Sequence, residues 1–332
     1  KAYHEKGRAE ASQLPGSAEE LYALGAETEW QAAAYHRALD EILSILKPVP
    51  GETGLDLTLG FGGHTLAMLP LVQPGGRMFG MDVDPIELPR TTARLRKLGF
   101  GEEALIVHRA NFSELATLLP QAGGGFDFVL ADLGVSSMQI DNPARGFSFR
   151  ADGPLDLRLD PSSGQSASEL LLCVTRHRLR DLLTDNSDEP FAIPLAAALQ
   201  GQYLETTVQL ADLVRATMEL AYKRSMPVEE RLVETKKVLQ RTFQALRIEV
   251  NDEFGVLDTM LRNLPACLKP GGRVAILSFH SGEDRRVKKC FQTGERNGTF
   301  SSVAADPIRA SYDEQRSNPR SSSAKLRWAV KA

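Results

Sequence analysis

Residues Asp56 to His64 read Asp-Leu-Thr-Leu-Gly-Phe-Gly-Gly-His. The surrounding pattern predicts a strand over 54–59, a glycine-rich turn, and a helix over 64–71. Glycine lets the backbone approach a ligand closely, and the N-terminus of a helix offers free N–H donors and a partial positive charge. The segment therefore predicts a site for a nucleotide-like ligand, with a purely structural turn as the alternative.

Short apolar runs alternate with amphipathic segments on both sides of this turn, which is typical of a parallel sheet with crossover helices. Further strands are predicted over 77–81, 104–108, 126–131 and 273–278. An amphipathic helix is predicted to end at Leu46, before two prolines, and a basic helix to end at Lys97. The fold class predicted is α/β, with a Rossmann-like parallel sheet.

The interval between the fourth and fifth predicted strands is too long for one crossover and is mostly helical in pattern. It predicts an inserted helical subdomain. The predicted organisation is a polar N-terminal extension over 1–34, a core formed by 35–158 and 241–332, and a helical insert over 159–240.

The composition excludes several classes of protein. A net charge of −4 with a pI near 6.0 argues against a surface that attracts polyanions everywhere, so any RNA contact is expected to be local. Three isolated cysteines predict neither a disulfide framework nor a metal site. No apolar stretch approaches the ~20 residues that span a bilayer, so no membrane association is expected. The first residue is Lys1, so we expect a preceding segment. A signal or transit peptide in that segment cannot be read from this sequence.

Two aspartates follow predicted strands directly. Asp82 ends the second strand, where an acid can accept hydrogen bonds from ribose hydroxyls in enzymes that use NAD or S-adenosylmethionine. Its alternative role, capping the next helix, suits Asp84 better. Asp132 ends the fourth strand, where a carboxylate could face a sulfonium and accept a hydrogen bond from an incoming amino group. It could equally cap the following turn.

Two groups of basic residues are candidates for RNA contact. The loop over 141–158 mixes arginine and phenylalanine among glycines, a composition that grips phosphate and stacks bases or, alternatively, packs against itself. A second group lies near the end of the chain and could contact phosphates or form a solvated basic face. Its members are Arg285, Arg286, Lys288, Lys289, Arg320, Lys325 and Arg327.

Further motifs follow in a fixed order toward the end of the chain. They are Arg241–Ile248, Val250–Glu253, Ser278–Ser281 with Glu283–Arg285, Asn318–Arg320 and Ser323–Arg327. Together with the turn and the strand-end acids, they resemble the RsmH/MraW family of ribosomal RNA cytidine-N4 methyltransferases and its organellar relatives. The resemblance runs from about Tyr35 to Trp328 and is weaker in the middle.

The resemblance implies a class I S-adenosylmethionine-dependent methyltransferase fold with an inserted helical domain. It implies S-adenosyl-L-methionine as cofactor and a cytidine of small-subunit ribosomal RNA, near the decoding centre, as substrate. The cofactor positions of the family fall on Gly62, Gly63, His64, Asp82, Phe112, Asp132 and Gln139. Phe112 would flank the adenine. Asp132 is the predicted catalytic residue, with His280 as a second candidate, and no metal is expected.

The expected partner is the small ribosomal subunit, and the oligomeric state is left open. A bacterial cytoplasmic location is expected, with the plastid stroma or mitochondrial matrix as alternatives.

The chain also departs from the family pattern. Ser187–Pro194 stands where the family usually has Gly-Glu-Glu followed by paired basic residues, so we expect a broken helix and a loss of positive charge there. The tract Lys237–Gln240 is altered, and Gly282 replaces a common aliphatic residue. These changes allow a catalytically impaired ribosome-assembly factor as the alternative function. The glycine turn and Asp82 alone would also allow an NAD-linked dehydrogenase.

Overall fold

The computed structural model describes residues 39–222, 226–317 and 319–332. The predicted extension over 1–34 lies outside these ranges. The chain divides into two compact units. The sheet unit comprises the described residues up to Gly134 together with Val256–Ala332, and the helical unit comprises Val135–Gly255.

The sheet unit is built on one eight-stranded sheet. Its strands are β1 (Thr53–Asp56), β2 (Arg77–Asp82), β3 (Leu105–Arg109), β4 (Phe126–Asp132), β5 (Leu268–Ser278), β6 (Phe300–Val303), β7 (Ile308–Arg309) and β8 (Lys325–Lys331). The spatial order is β3-β2-β1-β4-β5-β8-β6, and β7 pairs with β8. Strands β1 to β5 are parallel, whereas β8 runs antiparallel to β5 and to β6. The predicted α/β class with a parallel Rossmann-like sheet is confirmed.

Strand β1 is shorter than predicted and ends at Asp56 instead of residue 59. The Asp56 carboxylate accepts the N–H of Thr58, which bends the chain. Leu57 and Leu59 still donate to carbonyls of β4 and β2, so the next residues stay attached to the sheet. Strands β6, β7 and β8 were not predicted.

The helices that precede β4 are α1 (39–46), α2 (Gly63–Val72), α3 (Glu87–Lys97) and the short α4 (Leu119–Ala122), which continues a 3₁₀ turn over Phe112–Leu118. The helical unit contains α5 (Ser137–Asp141), α6 (Ala167–Cys173), α7 (Arg176–Ser187), α8 (Ala192–Leu199), α9 (Thr207–Ala221) and α10 (Val228–Val250). The chain continues through α11 (Glu253–Cys267), α12 (Ser281–Arg296) and α13 (Tyr312–Ser317).

Helices cover both faces of the sheet. Successive residues of a strand point to opposite faces, and the apolar ones on each face are buried by helices. On β4, Phe128 and Leu130 join the apolar cluster beneath α1, α2 and α3. Val129 and Ala131 join the cluster beneath α4, α11 and α12. The sheet unit is therefore a three-layer α/β/α structure.

The helical unit has its own apolar core and begins earlier than residue 159. Leu155 and Leu157, from the loop before α6, are fully buried in that core, and Phe147 packs against it. At its other end the unit includes the whole of α10 and reaches Gly255, beyond the predicted limit at residue 240. The limits differ because apolar side chains in the flanking segments belong to the same core.

The predicted helix break within the insert is present. Helix α7 ends at Ser187, and Asp188 follows in the left-handed region with a φ of 52°. Helix α8 starts at Ala192 and accommodates Pro194 in its first turn, where a proline removes no helical hydrogen bond. No helix among the described residues is long and apolar enough to cross a membrane.

Gly62 precedes α2 with a φ of +82°, and a Cβ there would lie 2.8 Å from Cγ2 of Thr91 and 3.0 Å from Cδ1 of Leu95. We expect Gly62→Ala to lower the free energy of unfolding by roughly 2–4 kcal/mol, because strain and overpacking add. Gly123, with a φ of +75° and open space around it, provides the control. Gly123→Ala should lower the free energy of unfolding by only about 1 kcal/mol. Equal losses in urea denaturation would contradict the packing role.

Candidate active site

The order of strands places a topological switch point between β1 and β4, and ligands of open α/β sheets bind at the carboxyl ends of strands at such a point. The chain proceeds from β1 toward β2 and β3 on one side and to β4 and β5 on the other. Asp56, Asp82 and Asp132 are the last residues of β1, β2 and β4. Three acidic residues thus end neighbouring strands at one edge.

Asp82 anchors the glycine turn. Its Oδ2 accepts the N–H of Gly60 at 2.7 Å, and its Oδ1 accepts the N–H of Asp84 at 2.9 Å. Burial raises the pKa of Asp82. Asp84 accepts the N–H groups of Ile86 and Glu87 at the start of α3, so the capping role belongs to Asp84, as predicted. Each Asp82 oxygen keeps a further lone pair that can accept a hydroxyl hydrogen.

Side chains of α3 hold the other side of the turn. Thr91 donates its hydroxyl to the carbonyl of Gly60 at 2.6 Å. The guanidinium of Arg94 lies 3.6 Å from the centre of the Phe61 ring and donates to the Phe61 carbonyl. The turn is therefore fixed by contacts with α3 as well as by Asp82.

Asp56 lies beneath the turn and is almost fully buried, with 1% of its surface exposed. Its Oδ1 accepts the N–H of Thr58 at 3.1 Å, and its Oδ2 accepts the hydroxyl of Thr65 at 2.7 Å. Burial raises the pKa of Asp56 to about 6, although the hydrogen bond from Thr65 opposes the rise. Thr58 also accepts the N–H of Asp132 through its hydroxyl oxygen at 2.7 Å, which joins the turn to the end of β4.

Asp132 is the central acid of the site. Its Oδ1 is buried and has no hydrogen-bond partner among the described residues, while its side chain as a whole is 29% exposed. Burial raises the pKa of Asp132 to about 7, and the charges of Asp56 and Glu283 add to this effect. The carboxyl therefore changes its protonation near neutral pH.

His64 approaches Asp132 without forming an ion pair. Its Nδ1 lies 3.8 Å from Oδ2 of Asp132. Burial lowers the pKa of His64 to about 4, so the imidazole is neutral where the carboxylate is charged. The contact is thus between a neutral ring and a carboxyl.

Glu283 is the fourth acid of this region and is 3% exposed. It accepts the N–H of Phe279 at 3.0 Å, and its Oε1 lies 3.2 Å from Nε2 of His280, the residue that precedes α12. His280, the second catalytic candidate, is therefore engaged with an acid at the start of this helix.

The structure brings most of the predicted cofactor residues together. Gly62, Gly63 and His64 begin α2 beside the ends of β1 and β4. Phe112 starts the 3₁₀ turn after β3 and packs, half-buried, on the adjoining apolar cluster. Gln139 belongs to the helical unit, where its Oε1 accepts the N–H of Ser136 at 2.8 Å and caps α5. Cofactor contacts by these residues stay predictions.

Three residues that hold the site together by hydrogen bonds are not assigned a role by the sequence pattern: Asp56, Thr58 and Thr65. Their only signal is a strand-end aspartate with a threonine two residues later and another nine residues later. A strand predicted to continue to residue 59 hid the position of Asp56 at the strand end.

The loop over 141–158 packs against itself. Arg145 is 5% exposed and donates to the carbonyl of Leu159 at 2.8 Å. Arg158 pairs with Asp156 at 2.7 Å, and Phe149 packs on the core of the helical unit. These side chains are engaged inside the protein, which supports the self-packed alternative.

Two members of the C-terminal basic group form ion pairs with the same acid, the half-buried Lys325 and the buried Arg327. Lys325 lies 3.0 Å and Arg327 2.6 Å from the carboxylate of Asp284. Burial raises the pKa of Asp284, but hydrogen bonds from these two residues outweigh it and leave the pKa below its usual value. Lys325 and Arg327 are therefore wrong as predicted phosphate contacts. The side chain of Arg320 lies outside the described residues.

Comparison with known proteins finds similarity to one family model and to individual proteins. A family model described as the MraW methylase family matches residues 35–332. "Ribosomal RNA small subunit methyltransferase H 1" of Lachnoclostridium phytofermentans is 50% identical over 299 residues, which cover 89% of this chain and 80% of that protein. "Ribosomal RNA small subunit methyltransferase H 2" of Alkaliphilus metalliredigens is 50% identical over 307 residues, covering 90% and 86%. Among solved structures, Aeropyrum pernix fibrillarin with natively bound S-adenosyl-L-methionine matches with a TM-score of 0.40 and 11% identity, covering 90% of this chain and 76% of that one.

The raised pKa of Asp132 has a consequence for stability. A carboxyl whose folded-state pKa is about 7 instead of 3.8 destabilises the fold increasingly as pH rises between these values, because the unfolded chain releases the proton more readily. On going from pH 5 to pH 8, we expect the free energy of unfolding of Asp132→Asn to rise by on the order of 2 kcal/mol relative to that of the wild type. Asp40→Asn, at an exposed position on α1, is the control and should show no such gain. Urea denaturation at both pH values measures the difference, and parallel curves for the two variants would contradict the assignment.

Proposed function

We propose, since the chain belongs to the MraW methylase family, that it transfers a methyl group from S-adenosyl-L-methionine to N4 of a cytidine in small-subunit ribosomal RNA, near the decoding centre. The relatives at 50% identity are named as methyltransferases of small-subunit ribosomal RNA. The observation that carries the proposal is the Asp132 carboxyl, which has a buried, unbonded oxygen among the described residues and lies at the switch point of the sheet. We further propose the small ribosomal subunit as partner and the bacterial cytoplasm as location.

The residues around the glycine turn fit such a cofactor. Asp82 has lone pairs for ribose hydroxyls, and the N-terminus of α2 at Gly63 offers N–H donors to a carboxylate. Phe112 presents an aromatic face after β3 that suits a purine. We assign Gln139 to the cofactor site only by its place in the family motif. When bound, S-adenosyl-L-methionine supplies an electrophilic methyl group on a positively charged sulfur.

Asp132 has the chemistry that this reaction requires. The exocyclic amine of cytidine is a poor nucleophile, since its lone pair is delocalised into the ring. A carboxylate that accepts an N–H hydrogen bond orients the amine and stabilises the positive charge that develops on nitrogen. The carboxylate then takes the proton that the methylated nitrogen loses.

The neighbours of Asp132 prepare it for this role. Burial first, and then the charges of Asp56 and Glu283, raise the pKa of Asp132 to about 7, so the carboxylate is basic enough to accept a proton near neutral pH. Because His64 is neutral, it does not cancel the negative charge of the Asp132 carboxylate. The hydrogen bond from the backbone N–H of Asp132 to the hydroxyl of Thr58 holds the end of β4 in place.

The alternative of an impaired assembly factor keeps the cofactor fold but predicts no methyl transfer. The dehydrogenase alternative is set aside by the match to a methylase family. Small subunits from cells that lack the gene should gain N4-methylcytidine when they are incubated with the protein and labelled S-adenosyl-L-methionine. Mass spectrometry of the nucleosides identifies the product. Cofactor binding without transfer would select the assembly factor.

We expect Asp132→Asn to reduce the single-turnover rate by about 10²–10⁴-fold, because the amide accepts a hydrogen bond but takes no proton. The wild-type rate should rise with pH through about 7, where the carboxylate forms, and this rise should be absent in the variant. The exposed-site variant Asp40→Asn is expected to retain the wild-type profile. A wild-type rate for Asp132→Asn would remove this residue from the mechanism.

A further inference from the structure

We propose that the outer face of α12, together with Arg262 of α11, is a surface that holds the phosphodiester backbone of the RNA substrate. This inference rests on the proposed function, because it assumes an RNA substrate. We call this set of residues the α12 surface, and its members are Arg262, Arg285, Lys288, Lys289 and Arg296.

The basic side chains of the α12 surface face outward. All five members are exposed. Four of them, all except Arg285, form neither an ion pair nor a side-chain hydrogen bond with any described residue. Their charges are therefore available to a ligand.

The acidic residues of the same region are mostly turned inward or already paired. Glu283 and Asp284 of α12 are buried, and Asp284 is neutralised by its two basic partners from β8. Asp258 of α11 pairs with Arg286 at 3.3 Å. Glu295 is the exposed acid of α12. Positive charge consequently predominates on the outside of this helix.

The α12 surface starts close to the candidate active site. Helix α12 follows β5, and Leu277 near the end of β5 pairs in register with Asp132 at the end of β4. Arg285 lies about one turn into the helix, and Lys288 and Arg296 are separated by about 12 Å along its axis. Charges along this helix lead away from the carboxyl edge of the sheet, as a strand of RNA leaving the site would.

The chemistry of this surface favours a phosphate backbone over an acidic protein. None of the large apolar side chains that are exposed in the described chain lies on α12. Protein interfaces are centred on apolar and aromatic anchors, whereas phosphate binding needs positive charge and little else.

The distribution of charge along the rest of the chain also favours the α12 surface as the place where phosphate binds. The net charge is −4, and residues 181–214, which include the altered part of the insert, contain neither lysine nor arginine. Phosphate binding therefore has to come from local groups of basic residues, and the α12 surface is such a group.

The test compares two triple variants that remove the same charge. The surface variant carries Lys288→Gln, Lys289→Gln and Arg296→Gln. The control variant carries Lys47→Gln, Arg90→Gln and Lys97→Gln, at exposed positions on or next to α1 and α3, which pack on the opposite face of the sheet from α12. Binding to 16S-type ribosomal RNA and to intact small subunits is measured across a range of KCl concentrations, and circular dichroism verifies that both variants are folded.

We expect the surface variant to flatten the slope of log affinity against log salt by about 2, since each contact with a single strand contributes about 0.7. The control variant should keep most of the wild-type slope. Equal slopes for wild type and surface variant, or equal flattening in both variants, would overturn the proposal. Weaker binding to intact subunits with unchanged binding to RNA alone would also overturn it, in favour of an acidic protein partner.

The same preparations separate this inference from the proposed function. A wild-type protein that methylates the subunit, together with a surface variant of unchanged slope, rejects the surface and leaves the function standing. A wild-type protein that transfers no methyl group rejects the function, and with it the premise that the RNA held here is a substrate.

Discussion

The hydrogen bond from the N–H of Asp132 to the hydroxyl of Thr58 is the contact on which the site depends. Thr58 is itself held by Asp56, whose other oxygen accepts the hydroxyl of Thr65 in α2. One buried carboxylate thus connects β1, the glycine turn, α2 and the end of β4. The price of this arrangement is the burial of an acid, which the hydrogen bonds offset only in part, because the pKa of Asp56 remains raised.

The carboxyl groups at the ends of β1, β2 and β4 give this edge of the sheet negative charge when they are ionised. Burial keeps His64 neutral, so the imidazole packs beside Asp132 without cancelling its charge. A negative edge complements both a sulfonium and the positive charge that develops on an attacking amine. The raised pKa of Asp132 and the chemistry proposed for it therefore have the same origin, which is burial among other acids.

The sequence was sufficient to predict the parallel strands and the site residues at their ends. An apolar run that stops at an acid shows where a buried strand leaves the sheet, so Asp82 and Asp132 were placed correctly. The bend at Asp56 was missed because it depends on a side-chain bond to Thr58, which periodicity does not report. Strand β8 was missed because its charged residues suggested an exposed tail. In the fold, the buried Arg327 and the half-buried Lys325 pair with Asp284, more than forty positions earlier in the chain.

Basic residues in this chain differ in function according to whether their side chains already form hydrogen bonds or ion pairs within the protein. Arg145 and Arg327 are surrounded by carbonyl or carboxylate acceptors and stabilise the fold. Lys288 and Arg296 have no such partner among the described residues and present their charge to the solvent. In sequence these two classes are indistinguishable, since both occur as arginine or lysine beside polar residues. A net charge of −4 is consequently compatible with RNA binding, because affinity for phosphate depends on the charges that the fold leaves unpaired on one face.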